Sequence, residues 1–156
     1  MRTETPPVIR LSEYRVPDFL IDRVMLDFSL EPGATRVVSH LSMQRNPAGV
    51  SGAALELDGD ELGLISVAID GRALSANEFT ATPDKLTIPT VPAGGFTLTI
   101  ETRVDPAANT KLMGLYRTNG TYCTQCEAEG FRRITFFLDR PDVMARFTVR
   151  LEADAA

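Results

Sequence analysis

The 156-residue sequence has a single histidine, only two cysteines and fewer basic than acidic residues, with a formal net charge of -5. Without a basic excess the chain is a poor candidate for binding nucleic acid. It contains no apolar run of 18 residues, so we expect no membrane-spanning helix. Its first 14 residues include no apolar segment typical of a secretory signal. We therefore expect a cytoplasmic protein with reduced thiols.

The motifs of several enzyme classes are also missing. The sequence contains no H-E-x-x-H, no G-x-x-x-x-G-K-[ST], no G-x-G-x-x-G and no G-x-S-x-G. The single histidine, His40, has no matching nucleophile motif, and a lone histidine on a strand is more often a surface or hydrogen-bonded residue than a ligand. We therefore predict no catalytic residue and no metal ligand in this chain.

What the sequence does have is alternation with a period of two residues. In the clearest case, 96–104, apolar residues and Thr102 share one face and polar residues the other, as in a half-buried strand. Alternating or extended segments recur every 8 to 12 residues, with turn signals between them, and this spacing predicts an all-β antiparallel sandwich. The other predicted strands are 21–31, 36–44, 54–57, 64–70 (Ile65, Val67 and Ile69 inward), 79–82, 85–88, 115–118 and 146–152.

We predict one domain, 19–156, preceded by an extended arm over 1–18 that contains Pro6, Pro7 and Pro17. The only helical candidate is a short turn at 141–145, where Pro141 suits a first helical position. The last strand ends close to Ala156, and an uncovered edge strand invites pairing with another chain. We therefore expect the sandwich to be truncated at its C-terminal end, or its edge to be covered by another chain.

The two cysteines stand three residues apart in the stretch GTYCTQCEAEGFRR. Cys123 and Cys126 supply half of a zinc site at most, since structural zinc needs four nitrogen or sulfur ligands. A redox C-x-x-C precedes a helix, whereas Asn119-Gly120 here predicts a β-hairpin. We interpret the pair as two reduced thiols in a hairpin, and a small thiol or zinc module remains the alternative.

Polar residues follow the cysteines at every second position. If the strand continues through them, Gln125, Glu127 and Glu129 form a row on one face. A surface pair of carboxylates is the simplest interpretation of the two glutamates. In a cleft, the same row would receive a cationic group such as a substrate amine.

The run KLMGLYRTNGTYCTQCEAEGFRRITFFLDRPDVMARFTVRLEAD resembles the N-terminal domain of bacterial aminopeptidase N, a gluzincin zinc metallopeptidase family. The similarity continues upstream in YRVPDFLIDRVMLDFSLEP, LDGDELGLISVAIDG and EFTATPDKLTIPTVP, and covers about Tyr14 to Asp154. It implies a non-catalytic β-sandwich packed on a catalytic domain of the same polypeptide, and peptides as substrates.

The resemblance also implies roles for individual residues. Glu127 matches the glutamate that helps to bind the free α-amino group of the substrate, and Gln125 matches the glutamine that lines the pocket for the first side chain. Cys123 and Cys126 receive no metal role. Four residues are expected to be architectural and to place this loop against the neighbouring domain: Arg132, Asp139, Arg140 and Pro141.

The sequence departs from the family pattern in lacking H-E-x-x-H and G-A-M-E-N. The resemblance places zinc in a catalytic domain that this chain does not contain, and we expect the chain alone to be inactive. We also expect an exposed interdomain surface with Phe131, Phe136 and Phe137, and a homodimer through that surface or the terminal strand. If the resemblance is set aside, the sequence is equally consistent with a free-standing β-sandwich module that binds protein or carbohydrate.

Overall fold

The computed structural model describes residues 10–154. Within them lie eleven strands and two single-turn 3-10 helices, Leu11–Glu13 and Phe131–Arg133. The strands are β1 (Phe19–Leu30), β2 (Thr35–Arg45), β3 (Leu55–Asp58), β4 (Gly63–Ile69), β5 (Arg72–Ala73), β6 (Thr80–Ala81), β7 (Lys85–Ile88), β8 (Phe96–Val104), β9 (Gly114–Thr118), β10 (Thr121–Gln125) and β11 (Arg146–Ala153).

Six strands form the main sheet, in the order β11-β1-β2-β8-β4-β5. All its neighbours are antiparallel except β1 and β11, which run parallel. A three-stranded sheet has the order β3-β7-β6, and β9 and β10 form a separate hairpin. The predicted all-β fold is confirmed, and the strand at 96–104 has the predicted bounds.

The core lies between the two sheets. Alternate residues of β8, from Phe96 through Ile100 to Val104, are buried on one face of the main sheet. The small sheet contributes Leu55, Leu57, Leu86 and Ile88 to the same hydrophobic cluster. The segment 134–138 completes the core, and it pairs with β3 through a bridge between Asp58 and Phe137. Burial of alternate apolar side chains from both layers is what stabilises a sandwich.

At the helical candidate 141–145 only a turn at 141–142 forms, in which the Val143 N–H donates to the Arg140 carbonyl at 3.1 Å, in agreement with the prediction of at most one short helical turn. One local prediction was wrong. Ile65 points outward because a bulge between Leu64 and Ser66 shifts the register of β4 against β8. A bulge inserts one residue and so reverses the face of its neighbours, which alternation alone does not reveal.

The predicted arm lies partly outside the described residues, since its first nine positions are not among them. From residue 10 onward it packs against the turn at 140–142. The Tyr14 hydroxyl donates to Asp142 at 2.9 Å, and Arg140 donates to the Arg15 carbonyl at 2.7 Å. The Arg140 guanidinium also lies over the Tyr14 ring, 5.8 Å from its centroid. The domain boundary after residue 18 stays a prediction.

The apolar residues exposed beside β11 are not those that the sequence suggested. Phe136 and Phe137 are buried in the core, and Phe131 is half-buried. The exposed side chains are instead Phe147, Val149 and Leu151 of β11, which are 50%, 53% and 64% accessible. Their partners in register on β1 are Val24, Leu26 and Phe28, all buried. The core face of the sheet therefore continues onto β11 and lies open there.

No helix among residues 10–154 is long and apolar enough to cross a membrane.

Candidate functional site

The candidate site begins at the β9–β10 hairpin. Thr118 pairs with Thr121, and the two residues between them, Asn119 and Gly120, have φ values of 47° and 85°. Positive φ at both central positions is the requirement of a type I′ turn, which matches the twist of the flanking strands. The hairpin predicted from Asn119-Gly120 is confirmed. It ends at Gln125, which pairs with Gly114 and is exposed.

After Gln125 the chain turns, so the predicted polar row on one strand face is wrong. β10 ends there, and the Gly130 N–H donates to the Cys126 carbonyl at 2.9 Å, closing a turn over 126–130. The Gln125 side-chain amide donates to the Glu127 carbonyl at 3.4 Å. The peptide bond between Glu127 and Ala128 is cis. Gln125 and Glu127 are thus brought together by the turn and not by strand alternation.

The two glutamates of this turn differ in their surroundings. The Glu129 carboxylate lies 3.4 Å from the Arg132 guanidinium, an i,i+3 ion pair. Glu127 is exposed, and its carboxylate has neither a hydrogen bond nor an ion pair with any residue from 10 to 154. An unpaired carboxylate beside a paired one is the group available to a cationic ligand.

Arg132 stabilises the turn through hydrogen bonds with Asp139 and Asp60. Its Nε donates to the Asp139 carboxylate at 2.9 Å, its Nη2 to the Asp139 carbonyl at 3.0 Å, and its backbone N–H to the same carboxylate at 3.1 Å. The Asp60 N–H donates to the Arg132 carbonyl at 3.0 Å. Arg132 and Asp139 therefore connect the turn to the rest of this domain, whereas their expected role in placing it against a neighbouring domain stays a prediction.

Arg133 braces the base of the hairpin. Its guanidinium donates to Asp60 at 2.7 Å, to Glu61 at 2.9 Å and to the Met113 carbonyl at 3.2 Å. Hydrogen bonds from Lys111 and then Arg133 lower the pKa of the Glu61 carboxyl. Gly114 has a φ of 71°, and a Cβ there would lie 2.5 Å from the Arg133 Cβ. No local pattern indicated this cluster, because Arg133 lies more than 70 positions from Asp60 and Glu61 in the sequence.

Cys123 lies on β10, and Cys126 is the first residue of the turn. Both are free thiols. Burial, and then the nearby Asp139 charge, raise the pKa of the Cys126 thiol, the opposite of what activates a nucleophilic or metal-binding thiolate. Across residues 10–154, no three His, Cys, Asp or Glu side chains cluster as a metal site would require. His40 lies elsewhere, on β2, with Nδ1 3.0 Å from the Thr99 hydroxyl.

Comparison with known proteins identifies the family. The model of the family described as the Peptidase M1 N-terminal domain matches residues 50–156. This chain belongs to the peptidase M1 N-terminal domain family. The family predicted from the resemblance over 14–154 is thereby confirmed. The turn at 126–130, Arg132 and Arg133 all lie inside the matched part of this M1 N-terminal domain.

Curated relatives match nearly the whole domain. Aminopeptidase N of Caulobacter vibrioides is 49% identical over 99% of this chain, and aminopeptidase N of Escherichia coli is 43% identical over 97%. This M1 N-terminal domain spans 18% and 17% of the lengths of these two relatives.

Solved structures share its architecture. Legionella pneumophila aminopeptidase A, determined in complex with aspartic acid, superposes with a TM-score of 0.84 and 31% identity over 92% of this chain and 17% of that one. Native leukotriene A4 hydrolase from Saccharomyces cerevisiae superposes with a TM-score of 0.74 and 23% identity over 94% of this chain and 26% of that one. The second likeness shows a shared fold alone.

Proposed function

We propose that this chain is the N-terminal, non-catalytic domain of a zinc-dependent aminopeptidase that removes N-terminal residues from peptides. The observation that carries the proposal is the match of 97–99% of the chain to two proteins named aminopeptidase N. The zinc and the groups that cleave the peptide belong to the remainder of the longer polypeptide, since the sequence here has no H-E-x-x-H.

Within that enzyme we propose that Glu127 binds the free α-amino group of the substrate and that Gln125 lines the pocket for the first side chain. The unpaired carboxylate of Glu127 supports this role, because a charge-assisted hydrogen bond needs an acceptor that no arginine already occupies. An ammonium fixed at one point places the first peptide bond at a constant distance from it. Such anchoring restricts cleavage to the N-terminal residue.

The proposed activity is tested with the full-length protein that carries this domain. It is expected to hydrolyse an aminoacyl anilide with a free α-amine and to leave the N-acetylated anilide intact. A chelator should abolish hydrolysis and added zinc should restore it, while the purified 156-residue chain should be inactive. Equal hydrolysis of both anilides, or activity of the 156-residue chain that survives repurification, would contradict the proposal.

We further propose that the open face of β11 contacts the rest of the same polypeptide. A groove of about 490 Å³ runs between β1 and β11 on one side and the hairpin on the other, with Tyr122, Cys126, Phe131, Phe147, Val149 and Leu151 among its lining residues. Phe131 and Phe147 already stack edge-to-face, with ring centroids 5.8 Å apart. A contiguous apolar face of this kind favours association. The relatives extend far beyond this domain, which supports an intramolecular partner over a homodimer.

A further inference from the structure

Three carboxylates lie around the turn at 126–130, and one arginine binds two of them. Arg132 reaches the Asp139 carboxylate at 2.9 Å, the Glu129 carboxylate at 3.4 Å and, outside the turn, the Asp58 carboxylate at 4.0 Å. Glu127 is left without a cationic partner among residues 10–154. The distribution of contacts thus separates one available carboxylate from two compensated ones.

The contacts of Arg132 also fix where the turn can lie. Its backbone N–H and its guanidinium both bind Asp139, and its carbonyl accepts from the Asp60 N–H. The Arg132 side chain is only 23% accessible, and that of Asp139 is 11% accessible. A planar guanidinium with several hydrogen bonds in fixed directions holds its neighbours more rigidly than a single point charge does.

The turn itself is packed closely against its own ends. A Cβ at Gly130 would lie 2.7 Å from the Gln125 carbonyl oxygen and 2.8 Å from the Cys126 Cα. The Gly130 N–H donates to the Cys126 carbonyl at 2.9 Å and ties the two ends of the turn together, and Arg132 follows Gly130 by only two residues, so a displacement of Arg132 would shift the turn that carries Glu127. Arg132 therefore acts on the turn through both charge and position.

We propose that Arg132 is a positioning residue for the substrate amine. By binding Asp139 and Glu129 it holds the 126–130 turn in place and leaves the Glu127 carboxylate as the acceptor for the ammonium. This inference rests on the proposed role of Glu127, since it names the residue that keeps that carboxylate free and correctly placed.

A double-mutant cycle in the full-length protein tests it. Arg132→Gln is made in the native background and in the Glu127→Gln background, and kcat/KM is measured for a free-amine aminoacyl anilide. Temperatures are chosen at which circular dichroism shows every variant folded. Groups that act as one unit have non-additive effects. We expect Arg132→Gln to lower kcat/KM about tenfold or more when Glu127 is present, because misplaced anchors cost orientation. In the Glu127→Gln background we expect a change within about twofold.

The matched control is Arg72→Gln. Arg72 is a surface arginine on β5 that pairs with Glu78, and its replacement should leave kcat/KM unchanged. An equal loss from Arg132→Gln in both backgrounds would overturn the positioning role, since a merely structural arginine would act regardless of Glu127. If Glu127→Gln alone has no effect on kcat/KM, the proposed role of Glu127 is wrong, and the positioning role of Arg132 that depends on it is also wrong. Should Arg132→Gln not fold, Asp139→Asn replaces it, with the same two expected results.

Discussion

At the scale of single residues, the turn at 126–130 depends on the absence of one side chain. Gly130 has φ −98° and ψ −11°, which alanine also adopts, so only space restricts the position. Because the nearest atoms are backbone at 2.7 Å and 2.8 Å, a methyl group must displace the turn.

We therefore expect Gly130→Ala to lower the free energy of unfolding by about 1–3 kcal/mol, as overpacked sites do. Urea denaturation of the 156-residue chain measures it. Gly94→Ala is the control, because nothing lies within 4 Å of a Cβ there, and it should change stability by about 0.5 kcal/mol or less. Equal stability of the two variants would show that the turn yields without cost.

A second residue-scale prediction concerns acid. Arg72 binds both oxygens of Glu78, and Ser75 adds a backbone and a hydroxyl hydrogen bond. Together they lower the pKa of the Glu78 carboxyl from 4.5 to about 2. A carboxyl with a depressed pKa contributes stability above its unfolded value and loses it as the pH falls towards its folded value.

Stability of the chain should therefore decline from pH 4.5 down to pH 2, and Glu78→Gln should flatten part of that decline. Thermal unfolding across this pH range measures the effect. The matched exchange is Glu31→Gln, at an exposed carboxylate that has no ion pair within the described part of the chain. If Glu78→Gln and Glu31→Gln give the same pH profile, the Arg72 contact does not contribute.

At the scale of elements, β1 and β11 present equivalent rows with opposite burial. Leu26 is 3% accessible, whereas Leu151 on the neighbouring strand is 64% accessible, although both point to the same side of the sheet. The cost of truncating a leucine depends on the packing around it and not on its strand or its face.

We expect Leu26→Ala to cost about 2–5 kcal/mol in the 156-residue chain, and Leu151→Ala about 0.5 kcal/mol or less. The two variants control for each other, since both remove the same atoms from adjacent strands of one sheet. Urea denaturation provides the comparison. A cost for Leu151→Ala close to that of Leu26→Ala would mean that the groove is already closed in this chain.

The same elements show which strands and which buried faces could be predicted from the sequence. Alternation predicted β8 with its bounds, because both of its faces follow a strict period of two. It failed at Ile65, where a bulge reverses the faces, and at Glu127 and Glu129, where polar residues kept the alternation although the backbone turns. Alternation also predicted β11. It did not predict that the apolar face of β11 is exposed, because burial depends on which elements pack against a strand, and the sequence of one segment does not contain that information.

Contacts between residues distant in sequence also could not be predicted from local patterns. The i,i+3 spacing of Glu129 and Arg132 is a local signal that could have been read as an ion pair. The bonds from Arg133 to Asp60 and Glu61 join residues more than 70 positions apart, and pattern within a window does not reveal them. The proposed roles of Gln125 and Glu127 rest on family resemblance, since the sequence alone equally describes Glu127 and Glu129 as a pair of surface carboxylates.

At the scale of the whole molecule, the groove beside β11 should be covered in the full-length protein. We expect Leu151→Asp to lower the unfolding temperature of that protein, because a charge would be buried without a partner. Met144→Asp is the control, since Met144 is 86% accessible and lies outside the groove. Both exchanges should be tolerated in the 156-residue chain. An unchanged unfolding temperature for full-length Leu151→Asp would refute the intramolecular contact.

The central claim is that Glu127 binds the amine of the substrate, and a pair of isosteric exchanges in the full-length protein tests it directly. Glu127→Gln should lower kcat/KM for a free-amine aminoacyl anilide by about 10- to 150-fold, the equivalent of losing a charged hydrogen bond worth about 1.5–3 kcal/mol. Glu31→Gln, at an exposed carboxylate outside the 126–130 turn, should change kcat/KM by about threefold at most. Unchanged kcat/KM for Glu127→Gln, or equal losses for both variants, would contradict the account.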